Sequence, residues 1–299
     1  VSSARCPVPV ESAILLLRLS TALRLPRTCG LTMTILNAET RVYAGFAIYS
    51  FGMGNIFPRL PDIQAGMGVA EGALGLGLIG TPVGTLFALT FATPVLERIG
   101  FKMSLILSIP LMALFFAIAV HAPAPLALFV LLIPVGLMVG SIEIILNIEA
   151  DRTEHLLGRR IMNRSHSFWS IGFFGAGLVG AAMAQAGVSP QWHLGLIVPI
   201  AIGGVALIFR DYHPAPKRPE LNPTAVPLVA RPTGPILILV AVTLSAMLME
   251  GASMDWSAIY MRNVFDSEPF IAGLAVAVFA FSQATSRFFA DRFVDRHSP

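Results

Sequence analysis

The sequence predicts an all-α membrane protein, with a six-helix N-terminal bundle followed by the first two helices of a second bundle. Of its 299 residues, 55% are hydrophobic and only 12% are charged, whereas soluble domains carry about 25% charged residues. Eight apolar runs alternate with short polar breaks, and about 20 helical residues cross a membrane. A charged segment, 93–102, recurs in degraded form at 287–296, which indicates an internal duplication. Each copy is expected to be a short turn at a membrane face, because its charges are costly in hydrocarbon.

The N-terminal residues 1–40 are predicted to be a poorly ordered leader or an extension outside the working protein, with Met33 as the start. Their apolar run, broken by Arg18, is too short to span a membrane and resembles a signal peptide only loosely. Both cysteines, Cys6 and Cys29, lie here. The body therefore has neither an internal disulfide nor a thiolate metal site, and we expect no metal.

The remaining chain divides into two bundles and a linker. The predicted spans are 42–57, 73–92, 103–120, 126–147, 165–186, 193–209, 235–260 and 270–287. The first six form the bundle 41–209, and the last two belong to a partial bundle, 235–299. Between them, 210–234 carries six prolines at 214, 216, 219, 223, 227 and 232, so we expect an extended cytoplasmic linker.

Positive charge is unequally distributed between the two sides of these spans. Beyond Met33, fourteen Lys and Arg residues fall on one side, and only Arg59 and Arg262 fall on the other. Cytoplasmic loops of membrane proteins carry the excess of Lys and Arg. The start of the body and both charged segments are therefore predicted to lie in the cytoplasm. The net charge of +3 is explained by these Lys and Arg residues, which are dispersed among short loops and set the topology. It therefore does not indicate nucleic-acid binding.

Three segments resemble the major facilitator superfamily, and in particular its fucose-permease-like branch. The segment 93–102 (TPVLERIGFK) is similar to the charged loop after the superfamily's second helix. The segment 158–181 is similar to the branch's fourth loop and fifth helix, and the segment 249–260 is similar to its seventh helix. The corresponding gating residues are Glu97, Arg98, Gly100 and Lys102 in the first copy and Arg287, Asp291 and Arg292 in the second. The fifth-helix motif contributes His166, as a hydrogen-bonded anchor at an interface or as a proton relay, and Trp169, as an interfacial aromatic residue.

The resemblance implies a secondary active transporter in a bacterial inner membrane. It would move a small solute, such as a sugar or related metabolite, by alternating access with proton coupling. Four further helices would then be missing, and an inactive fragment is the alternative. A membrane enzyme is disfavoured because the six histidines are scattered, and there is no phosphate loop for ATP. We expect a solute, membrane lipid and protons as partners, with no cofactor and no obligate protein partner.

Polar residues at membrane depth are the candidate solute or coupling site, because they are costly unless they face a cavity or a partner. The candidates are Asn55, Glu143, Asn147, Glu250, Asp255 and Gln283. Two acids have alternatives: Glu143 pairs with Arg98 or with arginines of 152–164, and Asp255 pairs with Arg262. Glu250 is the deepest acid of the second bundle and is the favoured coupling residue.

Overall fold

The structure is a computed structural model that describes residues 36–217 and 232–297. Most of the predicted leader and the linker residues 218–231 lie outside the described residues. Within the described ranges the chain forms eleven α-helices and one 3-10 turn, and no strand. The all-α class is confirmed.

The first half of the six-helix bundle begins with a helix capped by Asn37, whose side chain accepts a hydrogen bond from the Thr40 amide at 2.8 Å. The elements of this half are α1 (Ala38–Gly54), a 3-10 turn (Phe57–Arg59), α2 (Leu60–Met67), α3 (Glu71–Leu78), α4 (Gly80–Phe91), α5 (Thr93–Ile99) and α6 (Phe101–Ala119). Helices α3 and α4 follow each other with one intervening residue and together make one span.

The later helices are longer. They are α7 (Pro125–Leu157), α8 (Met162–Gln185), α9 (Pro190–Phe209), α10 (Gly234–Phe265) and α11 (Pro269–His297). Each of the eight predicted spans corresponds to a helical stretch. Seven of these stretches in the described residues are long and apolar enough to cross a membrane, and α1, with 17 residues, falls short of the usual length.

The two copies of the charged segment differ in structure. In the first copy α5 ends at Gly100, whose φ of 85° is a backbone conformation that glycine adopts without a steric penalty. The equivalent position in the second copy is Val294, and a β-branched residue is strongly disfavoured there. Helix α11 accordingly continues through 287–296, so the turn predicted at the second copy is wrong.

Close helix approach in the bundle depends on glycine. Where α4 faces α7, a Cβ atom at Gly84 would overlap the carbonyl oxygen of Ile133, and one at Gly136 would overlap that of Thr81. Helix α8 lies between α1 and α11 and packs against both. Helix α10 packs on α11 and, through its outer part, on α2 and the 3-10 turn, while residues 234–249 are all exposed.

Residues 210–217, here called the linker strap, pack on the bundle instead of forming part of a free linker. The Ala215 amide donates to the Glu149 carboxylate at 2.8 Å, and Arg41 and Lys102 each donate at 2.8 Å to strap carbonyls. Tyr212 is buried, and burial together with the neighbouring carboxylate of Glu149 raises the pKa of its phenol. The prediction of an extended linker is therefore wrong for these residues.

Candidate functional site

An ion pair joins the last two helices near the middle of α10. Nη2 of Arg287 lies 3.2 and 3.1 Å from the two carboxylate oxygens of Glu250, and the two side chains are 29% and 30% exposed. Nη1 of Arg287 is 3.3 Å from the hydroxyl of Ser170 on α8. Arg287 therefore connects the two-helix part of the chain to the six-helix bundle.

A second polar group lies on α7 and α8. The amide nitrogen of Asn147 donates to Oε2 of Glu143 at 2.9 Å, and the amide oxygen lies 3.2 Å from Nε2 of His166. With the amide in this orientation, Nε2 of His166 carries the proton and donates it. Glu143 thus has Asn147 as a hydrogen-bond partner.

The two groups lie close enough to interact electrostatically. Glu143 interacts with Tyr49 of α1, with Arg287 and with Glu250, and His166 also interacts with Arg287 and Glu250. We call the whole set the interface cluster: Tyr49, Glu143, Asn147, His166, Ser170, Glu250 and Arg287. With both carboxylates ionised, the cluster has two negative charges and one positive charge. A proton or a cation would balance the excess.

Trp169 lies on α8, the helix that carries His166, but its side chain packs inside the protein. It is buried and stacks on Phe173, with 5.1 Å between ring centroids. Its indole nitrogen has no hydrogen-bond partner among the described residues. Trp169 therefore packs against protein side chains, and its position at a membrane–water interface stays a prediction.

Asn55 lies away from the interface cluster, inside the six-helix bundle. It is fully buried, donates to the Phe51 carbonyl at 2.7 Å and lies 2.9 Å from Nε2 of His193. Its amide is used within the bundle, and its part in a solute or coupling site stays a prediction.

Asp255 and Gln283 differ in their surroundings. Asp255 lines a cavity of about 700 Å³ between α10 and the six-helix bundle. The predicted alternative partner, Arg262, instead donates to the Ser267 carbonyl at 3.0 Å. Gln283 lies one helical turn before Arg287, and its buried Oε1 has no partner among the described residues.

The predicted gating residues of the first copy lie beside the linker strap. Glu97 pairs with Lys217 at 3.4 Å, and both side chains are largely exposed. Lys102 donates to the Arg210 carbonyl, and Arg98 is exposed. Arg287 belongs to the interface cluster instead, and the side chains of Asp291 and Arg292 lie outside the described residues. Across the described ranges, no group of three or more His, Cys, Asp or Glu residues could hold a metal ion.

Sequence reasoning identified the acids of the interface cluster but placed Arg287 in a separate group. Tyr49 and Ser170 were missed because neither residue type is unusual within a membrane helix. The signal that could have linked Arg287 to these acids was its position at the end of an apolar run, since a charged side chain at membrane depth needs a partner.

Residues 42–299 match the family described as Major Facilitator Superfamily. The chain is 28% identical over 254 residues to an uncharacterized MFS-type transporter of Yersinia pestis, covering 84% of this chain and 64% of the relative. It is 26% identical over 258 residues to an uncharacterized transporter of Sinorhizobium fredii, covering 85% and 67%. No solved structure gave a significant match.

Proposed function

The chain belongs to the major facilitator superfamily, and we propose that it acts as a proton-coupled secondary transporter of a small solute in a bacterial inner membrane. It is an integral, multi-pass membrane protein, and both relatives above are named as transporters. The interface cluster is the observation that supports coupling, because it sets ionisable groups of both bundles against each other halfway along α10.

The excess negative charge of the cluster suggests how a proton is used. Arg287 lies between Glu250 and Glu143 and interacts with both. Protonation of Glu250 would weaken its pair with Arg287 and leave Glu143 as the stronger partner of the guanidinium. Because Glu143 is on α7 and Glu250 is on α10, this change of partner would alter the contact between the bundles.

The contacts at the ends of α10 and α11 support alternating access. At the outer end, Asn263 donates to Glu71 at 2.7 Å and to Gln64 at 3.3 Å, and the Phe270 amide donates to Gln185 at 3.0 Å. At the other end, residues 234–249 of α10 are exposed. These contacts close the end of the chain that the charge distribution would put outside, and transport would require a second state in which they break.

The cytoplasmic motif has a supporting role in this proposal. With the charge distribution setting the orientation, Glu97, Arg98, Gly100 and Lys102 lie at the cytoplasmic ends of α5 and α6. Lys102 and Glu97 both contact the linker strap. They would fasten the strap in one state and release it in the other, with Asp291 and Arg292 acting in the second copy.

The test is the variant Glu250→Gln in the protein expressed from its native gene and reconstituted in proteoliposomes. A panel of labelled sugars, amines and carboxylates is first screened for accumulation driven by an inward proton gradient. We expect Glu250→Gln to abolish accumulation of the active solute while counterflow exchange, which needs no net proton movement, stays measurable. Normal accumulation by well-inserted Glu250→Gln protein would exclude Glu250 as the coupling residue.

A further inference from the structure

A cavity of about 700 Å³ lies beside the interface cluster. One wall is α10, from which Gly251, Asp255 and Trp256 face the space, and the other is the six-helix bundle, including Phe57 and Phe116. Small-molecule sites occupy about 300–1,000 Å³ and are mostly apolar with a few polar groups. The cavity has both properties, and Gly251 directly follows Glu250 in the chain.

Among the described residues that line this cavity, Asp255 is the one ionisable side chain. The described residues provide it with no hydrogen-bond or ion-pair partner, and the arginines Arg262 and Arg287 contact Ser267 and Glu250. An isolated carboxylate in apolar surroundings is costly unless a counter-charge is supplied. The protein supplies none from its described part, so a cationic ligand is the partner that this site fits.

We propose that this cavity is the solute site and that it takes a hydrophobic organic cation. Asp255 would balance the ligand's charge, and the rings of Trp256, Phe57 and Phe116 would contact its apolar groups and attract the cation through their π faces. This proposal rests on the proposed transport function, since it names the class of solute that is moved.

The lining disfavours the sugar that the family branch would suggest. A sugar needs a hydrogen-bond partner for each buried hydroxyl, and unpaired polar groups are costly. The two threonines of the lining are Thr81 and Thr85, and the Thr85 hydroxyl already donates to the Gly136 carbonyl at 3.2 Å. Asp255 and Thr81 together offer too few partners for a ring of hydroxyls.

The test measures binding of tetraphenylphosphonium to the purified protein, expressed from its native gene, by equilibrium dialysis. Triphenylphosphine oxide serves as a neutral probe of similar shape, and L-fucose as the competing sugar. We expect Asp255→Asn to weaken tetraphenylphosphonium binding at least ten-fold and to leave triphenylphosphine oxide unaffected, while Asp255→Glu restores most of the affinity. Asp211→Asn makes the same charge change at an exposed position and should have no effect.

Two results would overturn the proposal. One is tetraphenylphosphonium affinity that is unchanged in Asp255→Asn protein whose elution volume and thermal unfolding match the parent. The other is L-fucose or triphenylphosphine oxide binding as tightly as the cation. Proteoliposomes separate this proposal from the transport function: Asp255-dependent binding without exchange contradicts transport, whereas proton-driven accumulation of another solute without cation binding contradicts only the solute class.

Discussion

At the scale of single residues, Arg287 is the group on which the interface cluster depends. It pairs with Glu250 on α10, contacts Ser170 on α8 and interacts with Glu143 on α7. Removing the guanidinium leaves two carboxylates with no positive charge near them, and like charges then repel. Removing Glu250 alone still leaves Arg287 with Glu143 as a partner.

The first prediction concerns the Glu250–Arg287 pair. Arg287→Gln should lower protein stability by about 1–3 kcal/mol, because it leaves the carboxylates of Glu250 and Glu143 without their positive charge, and Glu250→Gln should cost less, because Arg287 keeps Glu143 as a partner. The double variant should lose about 1 kcal/mol less stability than the two single variants lose together. This difference is the interaction energy of the pair in a double-mutant cycle. Thermal unfolding of the detergent-purified protein measures all three.

The exposed pair Glu97–Lys217 is the matched control for this cycle. Its side chains are 53% and 76% exposed, and exposed pairs contribute about 0–1 kcal/mol. Glu97→Gln and Lys217→Gln should therefore be nearly additive and nearly neutral. If the Glu250–Arg287 cycle were as additive as this control, the two residues would not form a stabilising pair.

How far single residues could be predicted from the sequence depended on their type. Glu143, Asn147 and Glu250 were found because acids and amides are unusual at membrane depth, and His166 was found through the fifth-helix motif. Asn55 was included by the reasoning on amides, but a buried amide can equally be used inside a bundle, as its contacts with Phe51 and His193 show. Sequence alone does not give the direction in which a helix presents a side chain.

At the scale of elements, the seam between α4 and α7 limits which residues the bundle tolerates. The second prediction is that Gly136→Ala lowers stability by about 1–3 kcal/mol or more, because its Cβ would overlap the Thr81 carbonyl and backbone must move. Gly195→Ala on α9, where a Cβ meets nothing within 4 Å, should be neutral or slightly stabilising. Equal thermal unfolding midpoints for the two variants would contradict the close packing.

The linker strap gives the third prediction. The buried Glu149 carboxylate accepts the Ala215 amide hydrogen bond, and Glu149→Ala should cost about 1–3 kcal/mol by leaving that amide unpaired. We expect trypsin to cleave faster after Lys217, as the strap detaches. Glu149→Gln keeps an acceptor oxygen and should be cleaved at a rate near that of the parent; identical cleavage of all three proteins would mean that this contact does not hold the strap.

Helix existence was predictable from apolar runs, but several helix ends were not. Helix α7 continues ten residues past the predicted end at 147, to Leu157, because a helix can extend beyond the membrane, where its sequence need not be apolar. The end of α5 at Gly100 and the continuation of α11 through Val294 follow from backbone conformation. The two copies carry similar charged residues, so their sequences did not indicate that one ends a helix and the other continues it.

At the scale of the whole molecule, the uneven distribution of Lys and Arg sets the orientation in the fourth prediction. Reporter fusions after Lys102, Arg160 and Lys217 should report the cytoplasm, and a fusion after Asn263 should report the outside. Lys102 and Lys217 are at one end of the bundle in the structure, since both contact the strap or the adjoining α5. A reversed report at any two of these sites would contradict the proposed orientation.

The arrangement of the bundles relative to each other was beyond sequence reasoning. The sequence indicated a duplication and two groups of helices, but the closed outer end depends on side-chain contacts between distant residues, such as Asn263 with Gln64 and Glu71. These residues are ordinary polar residues in loops or helix ends, so nothing in the sequence distinguishes them from solvated ones. Only the folded chain brings them together.

The most direct test of the account measures the outer end itself. Spin labels at Ala65→Cys and Val264→Cys, with Cys6 and Cys29 replaced by serine, report the distance between α2 and α10 by double electron–electron resonance in nanodiscs. We predict two distance populations whose ratio changes in Glu250→Gln, because Arg287 then has Glu143 of α7 as its partner and the contact between the two bundles is altered. A single short distance, the same in both proteins, would contradict alternating access controlled by this cluster.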